Sequence, residues 1–171
     1  MRAAVYYGPN KVSVEDVAIP APGPGQVQLQ VGFNGICGTD LHEYYAGPIF
    51  VPTQPHPLTH QELPLTLGHE FSGTITAVGA GVTGWREGDR VAVEPIYKCG
   101  HCGPCAAGNY NVCQQIGFHG LMSDGGMAEY TVVPTNMLHR LPDNVSLELG
   151  ALVEPMSVAY HAATLGDVKP G

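Results

Sequence analysis

The chain has 171 residues, enough for one domain or slightly more, and its 44% hydrophobic against 13% charged composition argues against a disordered chain. Its formal charge of -8 argues against a nucleic-acid partner and against an anionic membrane surface, because both need a basic face. No apolar run is long enough to span a bilayer and no signal-peptide core follows Met1, so a cytoplasmic location is expected.

In chain order, residues 1–7 and 12–18 are β-prone runs around the turn Gly8-Pro9-Asn10, which predicts a hairpin. A Pro/Gly connector over 19–25 leads to 26–34. There Val27, Leu29, Val31 and Phe33 alternate onto one face of a half-buried strand. Gly35 and Gly38 give the chain a sharp exit from that strand. Thr39 or Asp40 is expected to cap a short helix reaching Ala46. The Pro-rich stretch 47–66 reads as a long functional loop. Strands are expected at 71–78 and 90–94, a cysteine lobe at about 95–115, and further strands at 127–133 and 137–141. Ser146 is placed to cap a helical segment over 146–165, with a break at Pro155. The last residues, 166–171, read as a linker cut short. Short strands punctuated by 23 glycines and 15 prolines predict a mainly β fold with few helices, built as a compact barrel. No strand–Gly-x-Gly-x-x-Gly–helix fingerprint occurs.

Four of the five cysteines, Cys99, Cys102, Cys105 and Cys113, form a C-x2-C-x2-C-x7-C run. Two-residue gaps let neighbouring thiolates converge on one ion, and the longer return closes a fourth position. Four thiolates leave no open coordination site, so the pattern predicts a structural zinc. An iron–sulfur site would show a shorter third gap and a proline after the last cysteine, where this chain has Gln114. An odd number of cysteines without a secretion signal disfavours disulfides. His101 is expected on the lobe surface, because the coordination is already full.

Cys37 stands apart. His69 and Glu70 are too distant in the chain for spacing to join them to it, and each has an ordinary reading as a buried thiol, a hydrogen-bonded histidine or a carboxylate. The residues alone leave a shared site open. Glu154 sits in the apolar run Leu152-Val153-Glu154-Pro155-Met156, where a free charge is costly and metal ligation would remove the cost. His56 and His60 in the long loop lack an assured partner and are read as non-ligands. Ile49, Phe50 and Phe118 are read equally well as pocket walls or as ordinary packing, and Glu94-Pro95 as a turn into the lobe.

Taken together, Gly35-Ile36-Cys37-Gly38-Thr39-Asp40-Leu41-His42, Gly68-His69-Glu70 with Gly73, Gly88-Asp89-Arg90-Val91, the four-cysteine run and Val153-Glu154-Pro155 resemble the zinc-dependent medium-chain dehydrogenases in order and spacing. The run from His42 to Phe50, the Pro/His loop after it and Leu152-Val153-Glu154-Pro155 are most similar to the butanediol and sorbitol group of that family. The resemblance implies a GroES-like, partly open β-barrel with a zinc lobe. It implies that residues 1–171 form a catalytic domain, with a Rossmann domain and the end of the barrel beyond them, so that this chain alone binds zinc but turns over little. Two zinc ions per chain are implied, and NAD or NADP in the whole enzyme. The catalytic zinc would be held by Cys37, His69 and Glu70 or Glu154. Thr39 and His42 would form a proton relay bridged by a cofactor ribose hydroxyl, and Asp40 would orient His69. The implied reaction is reversible oxidation of a secondary alcohol such as 2,3-butanediol to a ketone, with zinc polarising the substrate oxygen. The partners are then a small alcohol or ketone and, for the whole enzyme, further copies of itself. Sorbitol and threonine dehydrogenase domains, and a non-enzymatic zinc-binding GroES-like module, are the rivals.

Overall fold

A computed structural model describes residues 1–169. The expectation of a linker over 166–171 therefore falls partly outside the described residues. The chain opens with the hairpin β1 (Arg2–Gly8) and β2 (Lys11–Asp16), paired antiparallel through a turn in which Asn10 takes a positive φ of 58°. Strand β3 (Gln26–Asn34) runs between β5 (Phe71–Val78) and β9 (Tyr130–Pro134), antiparallel to both. Strands β6 (Arg90–Val93) and β10 (Leu138–Arg140) complete a five-stranded sheet in the order β10-β6-β5-β3-β9. A three-stranded sheet adds β4 (Leu65–Thr66) to the opening hairpin, in the order β2-β1-β4.

The two sheets meet along residues 127–129. This stretch is not the start of β9, as the sequence pattern suggested. Its backbone instead bridges the sheets: Ala4 N–H donates to Met127 O at 2.8 Å and Glu129 N–H to Arg2 O at 3.1 Å on the β1 side, and Val31 N–H of β3 donates to Glu129 O at 3.0 Å. That seam curls the sheets into a partly open barrel. Its larger core holds Val27, Leu29, Phe71, Ile75, Val91 and Val133, all at most 1% exposed. Burying one such side chain contributes about 1.5–3 kcal/mol. A second cluster of Tyr6, Val51, Leu65, Leu67 and Leu121 lies under the long loop.

The alternation in β3 holds at Val27 and Leu29 and fails at Phe33, which is 49% exposed. The register against β5 slips between Val31 and Phe33. A bulge shifts the side-chain period, so the end of the strand turns out of the core. Helix α1 (Gly38–Ala46) is capped by neither Thr39 nor Asp40. Cys37 is its N-cap, and Asp40 reaches back to accept the Cys37 N–H at 2.9 Å. The C-terminal segment divides into α3 (Leu147–Ala151) and α4 (Val153–Leu165) at Leu152, not at Pro155. Pro155 falls in the first turn of α4, where its missing N–H has no intrahelical partner to lose. Ser146 caps α3, accepting from Leu149 N–H at 3.2 Å.

The lobe consists of β7 (Ile96–Tyr97), the short helix α2 (Gly103–Ala106), a 3-10 turn at Tyr110–Val112 and β8 (Gly117–Phe118), which pairs with β7. Among the described residues, no helix is long and apolar enough to cross a membrane.

Candidate metal centres and cleft

In the lobe, the sulfur atoms of Cys99, Cys102, Cys105 and Cys113 all lie within 4.8 Å of one another. The separations are 3.5 Å for Cys99–Cys113, 3.9 Å for Cys102–Cys113 and 4.0 Å for Cys99–Cys105. Four thiolates at zinc–sulfur bond length on a tetrahedron stand about 3.8 Å apart, so the donor set fits a closed zinc site. All four cysteines are free. Backbone N–H groups already point at the sulfurs: Cys99 and Gln115 donate to Cys113, and Cys102 donates to Cys99. Such donors favour thiolate. The N–H groups of Gln114 and Cys105 bring the Cys102 thiol down to about 6, and those of Cys99 and Gln115 lower Cys113. His101 is exposed, its ring nitrogen on the Cys99 carbonyl, apart from the sulfurs.

The second cluster is assembled from distant segments. Cys37 stands where β3 passes into α1, and His69 and Glu70 stand between β4 and β5. The barrel brings donor atoms of these three residues within 4.8 Å of one another. Glycines make the approach possible. A Cβ at Gly35 would lie 2.3 Å from a Glu70 carboxylate oxygen, and Gly68 turns the chain into His69 with φ at 103°.

Asp40 joins the two segments. Its Oδ2 accepts from Cys37 N–H, and its Oδ1 faces His69 Nδ1 at 3.6 Å. Those facing atoms are both buried, and neither has a hydrogen-bond partner. The separation is just beyond hydrogen-bond range. An imidazole with its Nδ1 turned to a carboxylate has Nε2 free as a donor, which is the arrangement of metal-binding histidines. Burial pushes the Cys37 thiol up, against hydrogen bonds from Thr39, whose hydroxyl lies 3.7 Å from the sulfur. Burial also raises Asp40, opposed by the nearby His69. Glu154 is pushed up to about 7 by burial and then by the charge of Glu70. A thiol and three carboxyl groups crowded here suit a cation, so these residues fit a second zinc.

The cluster opens on a cleft of about 380 Å3. Thr39, Phe50, Phe118 and Glu154 line it with the three donors, and so do Leu121, Pro155 and Val158, which the sequence did not mark as walls. Glu154 therefore faces the cleft without belonging to the three-residue cluster. Ile49 is 53% exposed and lies outside the lining. His42 is exposed on α1, also outside the lining. His56 is buried, with Nε2 on Ile116 O at 3.1 Å and Nδ1 accepting from Leu58 N–H, whereas His60 is exposed.

Two buried ionisable residues escaped the sequence reading. Glu43, with no exposure at all, accepts from the backbone N–H groups of Ile49, Phe50 and Val51. Its position three residues after Asp40, on one helical face, was the available signal. His119 lies at the lobe exit, bonded through Nδ1 to Tyr97 and Ser123 and through Nε2 to Thr131. Full burial brings its pKa down to about 3. No periodicity marks such a residue.

Comparison with known proteins places these centres in context. The family described as the alcohol dehydrogenase GroES-like domain matches residues 23–143. The chain is 46% identical over 174 residues to an (R,R)-butanediol dehydrogenase of Bacillus subtilis, covering all of this chain and 49% of that one. The crystal structure of 2R,3R-butanediol dehydrogenase from Bacillus subtilis superposes with a TM-score of 0.89 at 46% identity, over 95% of this chain and 46% of that one. An alcohol dehydrogenase (rspB) of Escherichia coli CFT073, solved with the cofactor NADH, gives 0.85 at 36% identity, over 98% and 46% of the two chains. The chain thus spans about half the length of the relatives it matches.

Proposed function

The chain belongs to the alcohol dehydrogenase GroES-like domain family, and from that premise we propose that residues 1–171 are the catalytic domain of a zinc-dependent dehydrogenase of secondary alcohols. The cofactor is NAD or NADP, bound by a further domain, and the substrate class is a vicinal diol such as 2,3-butanediol, oxidised reversibly to the ketone. The observation that carries this reading is the convergence of Cys37, His69 and Glu70 within 4.8 Å on a cleft with apolar walls. The identity to a butanediol dehydrogenase supports the choice of diol.

Cys37, His69 and Glu70 would hold the catalytic zinc, with Glu154 as the carboxylate that exchanges with Glu70 or lies just outside it. When bound, the zinc supplies Lewis acidity at the substrate oxygen and lowers the pKa of the alcohol. Asp40 holds the Cys37 backbone and faces His69 Nδ1, so it keeps both donors aimed at one point. The Thr39 hydroxyl, beside the Cys37 sulfur, would accept the substrate's hydroxyl proton while giving up its own. His42, exposed one helical turn further on, would pass that proton to solvent. Phe50, Phe118, Leu121 and Val158 exclude water from the carbon that gives up hydride. The four lobe cysteines hold a second, structural zinc. A cytoplasmic, self-associating enzyme without nucleic-acid or membrane partners completes the reading.

The test is metal content followed by turnover. The chain should carry about two zinc ions. Together with a nucleotide-binding domain it should reduce NAD or NADP when given 2,3-butanediol, and alone it should turn over little. One zinc per chain, with Cys37→Ser leaving that number unchanged, would overturn the reading in favour of a non-enzymatic module.

A further inference from the structure

We propose that Glu43 is a positioning residue that sets the width of the substrate cleft by fixing the backbone of Phe50. The proposal rests on the reading of the cleft as an alcohol site. Phe50 lines the cleft, yet the residue is 48% exposed, so only part of it is held by packing. The main chain supplies the rest of the hold. The Glu43 carboxylate accepts from three successive N–H groups, at 3.0 Å from Ile49, 2.5 Å from Phe50 and 3.4 Å from Val51. Three converging donors form a small anion nest, which offsets the cost of burying the carboxylate.

Glu43 is itself fixed on both sides. Tyr6 Oη–H donates to its backbone carbonyl at 2.7 Å, and Gly47 N–H donates to the same oxygen at 2.9 Å. A Cβ at Gly47 would lie 2.4 Å from that oxygen and 2.6 Å from the Glu43 carboxylate, so the loop closes tightly around the side chain. Val51, 3% exposed, then anchors the loop in the cluster around Tyr6. Helix α1 thus carries two buried carboxylates with separate tasks. Asp40 steadies the donor cluster, and Glu43 steadies the wall that a substrate chain must fit against.

In Glu43→Gln size is kept, but the charge that strengthens the three N–H bonds is lost and an amide N–H is set against the Ile49 N–H. On the holoenzyme, kcat/KM for 2,3-butanediol relative to 3,4-hexanediol should fall about tenfold, with the loss in KM more than in kcat, because a few methylenes against an apolar wall carry that much discrimination. Phe50→Ala should lower the same ratio, and the double variant should lower it no further, since both changes act through one side chain. Amides of 49–51 should exchange hydrogen about tenfold faster or more in Glu43→Gln, as expected for losing a charge-assisted bond, with bound zinc unchanged. An unchanged substrate ratio alongside a lower melting temperature would overturn the proposal, and so would additive effects in the double variant. If Glu43→Gln does not fold, Phe50→Ala decides: an unchanged ratio rejects the wall. If the unsubstituted holoenzyme oxidises no secondary alcohol, the reading of the cleft fails. The exchange rates then decide the positioning by themselves, and unaltered protection at 49–51 overturns it.

Discussion

The lobe and the cleft are both clusters of metal-donor side chains, and they are built in opposite ways. Cys99 and Cys113 are 14 positions apart, and everything needed to bring the four sulfurs together lies between them. Short gaps, a single helical turn at 103–106 and backbone N–H groups aimed at sulfur make the lobe nearly self-sufficient. The cleft has no such local logic. Cys37 caps the helix that follows one strand, His69 precedes another, and Glu154 comes from a helix near the end of the described chain. Their meeting depends on the pairing of β3 with β5 and on Gly35 and Gly68, which let two backbones approach. The lobe set is complete with four thiolates, whereas the cleft set of three leaves room for a further ligand. A closed site ties the fold, and an open one can do chemistry.

Removing one donor from each cluster is the sharpest way to break this comparison. Cys37→Ser should reduce turnover of the holoenzyme by at least about 100-fold and remove one of two zinc ions, with little change in melting temperature. Metal analysis and a thermal melt decide it. Cys102→Ser should do the reverse. It should loosen residues 96–118, read as faster amide exchange, and lower the melting temperature while zinc at Cys37 remains. Loss of both ions with the barrel still folded would show the two centres to be one cooperative unit. A smaller effect is expected from Asp40→Asn, which keeps shape but weakens the carboxylate facing His69. Zinc affinity at the cleft should drop by about 10–100-fold, measured by competition with a chelator, and lobe zinc should be unaffected.

Acidification tests the join between lobe and barrel through His119. Its folded pKa of about 3 lies below the unfolded value, so the unfolded chain binds the proton first. The stabilisation is fully present above about pH 6.5 and is lost as pH falls toward about 3, at up to about 1.4 kcal/mol per pH unit. Denaturant titrations across that range should show a weaker pH dependence in His119→Gln than in the unsubstituted chain.

Strands with clean alternation or bracketing glycines were legible in sequence, and β3 and β5 fall on the expected residues. The exceptions have separate causes. Phe33 leaves the core because a register slip against β5 turns its side chain outward, and a bulge depends on the partner strand. Residues 127–129 divide their hydrogen bonds between β1, a strand at the far end of the chain, and partners at Val31 and Leu67. The helix break moved to Leu152 because Pro155 is tolerated in a first turn.

The sequence by itself determined the lobe. Cysteine spacing and glycine freedom act over a few residues, so the chemistry follows from local geometry. Motif order was also enough to indicate the family. Only the tertiary structure decided what stands around Cys37. It brought His69 and Glu70 to the thiol and turned Asp40 to serve both, while leaving His42 outside the cleft. It also showed that Glu43, unremarkable in the sequence, is buried beneath the loop that carries Phe50. The physical reason is that these contacts join segments separated by whole strands. Their energies depend on sheet register and on how closely two backbones can pass, and neither is written in any local pattern.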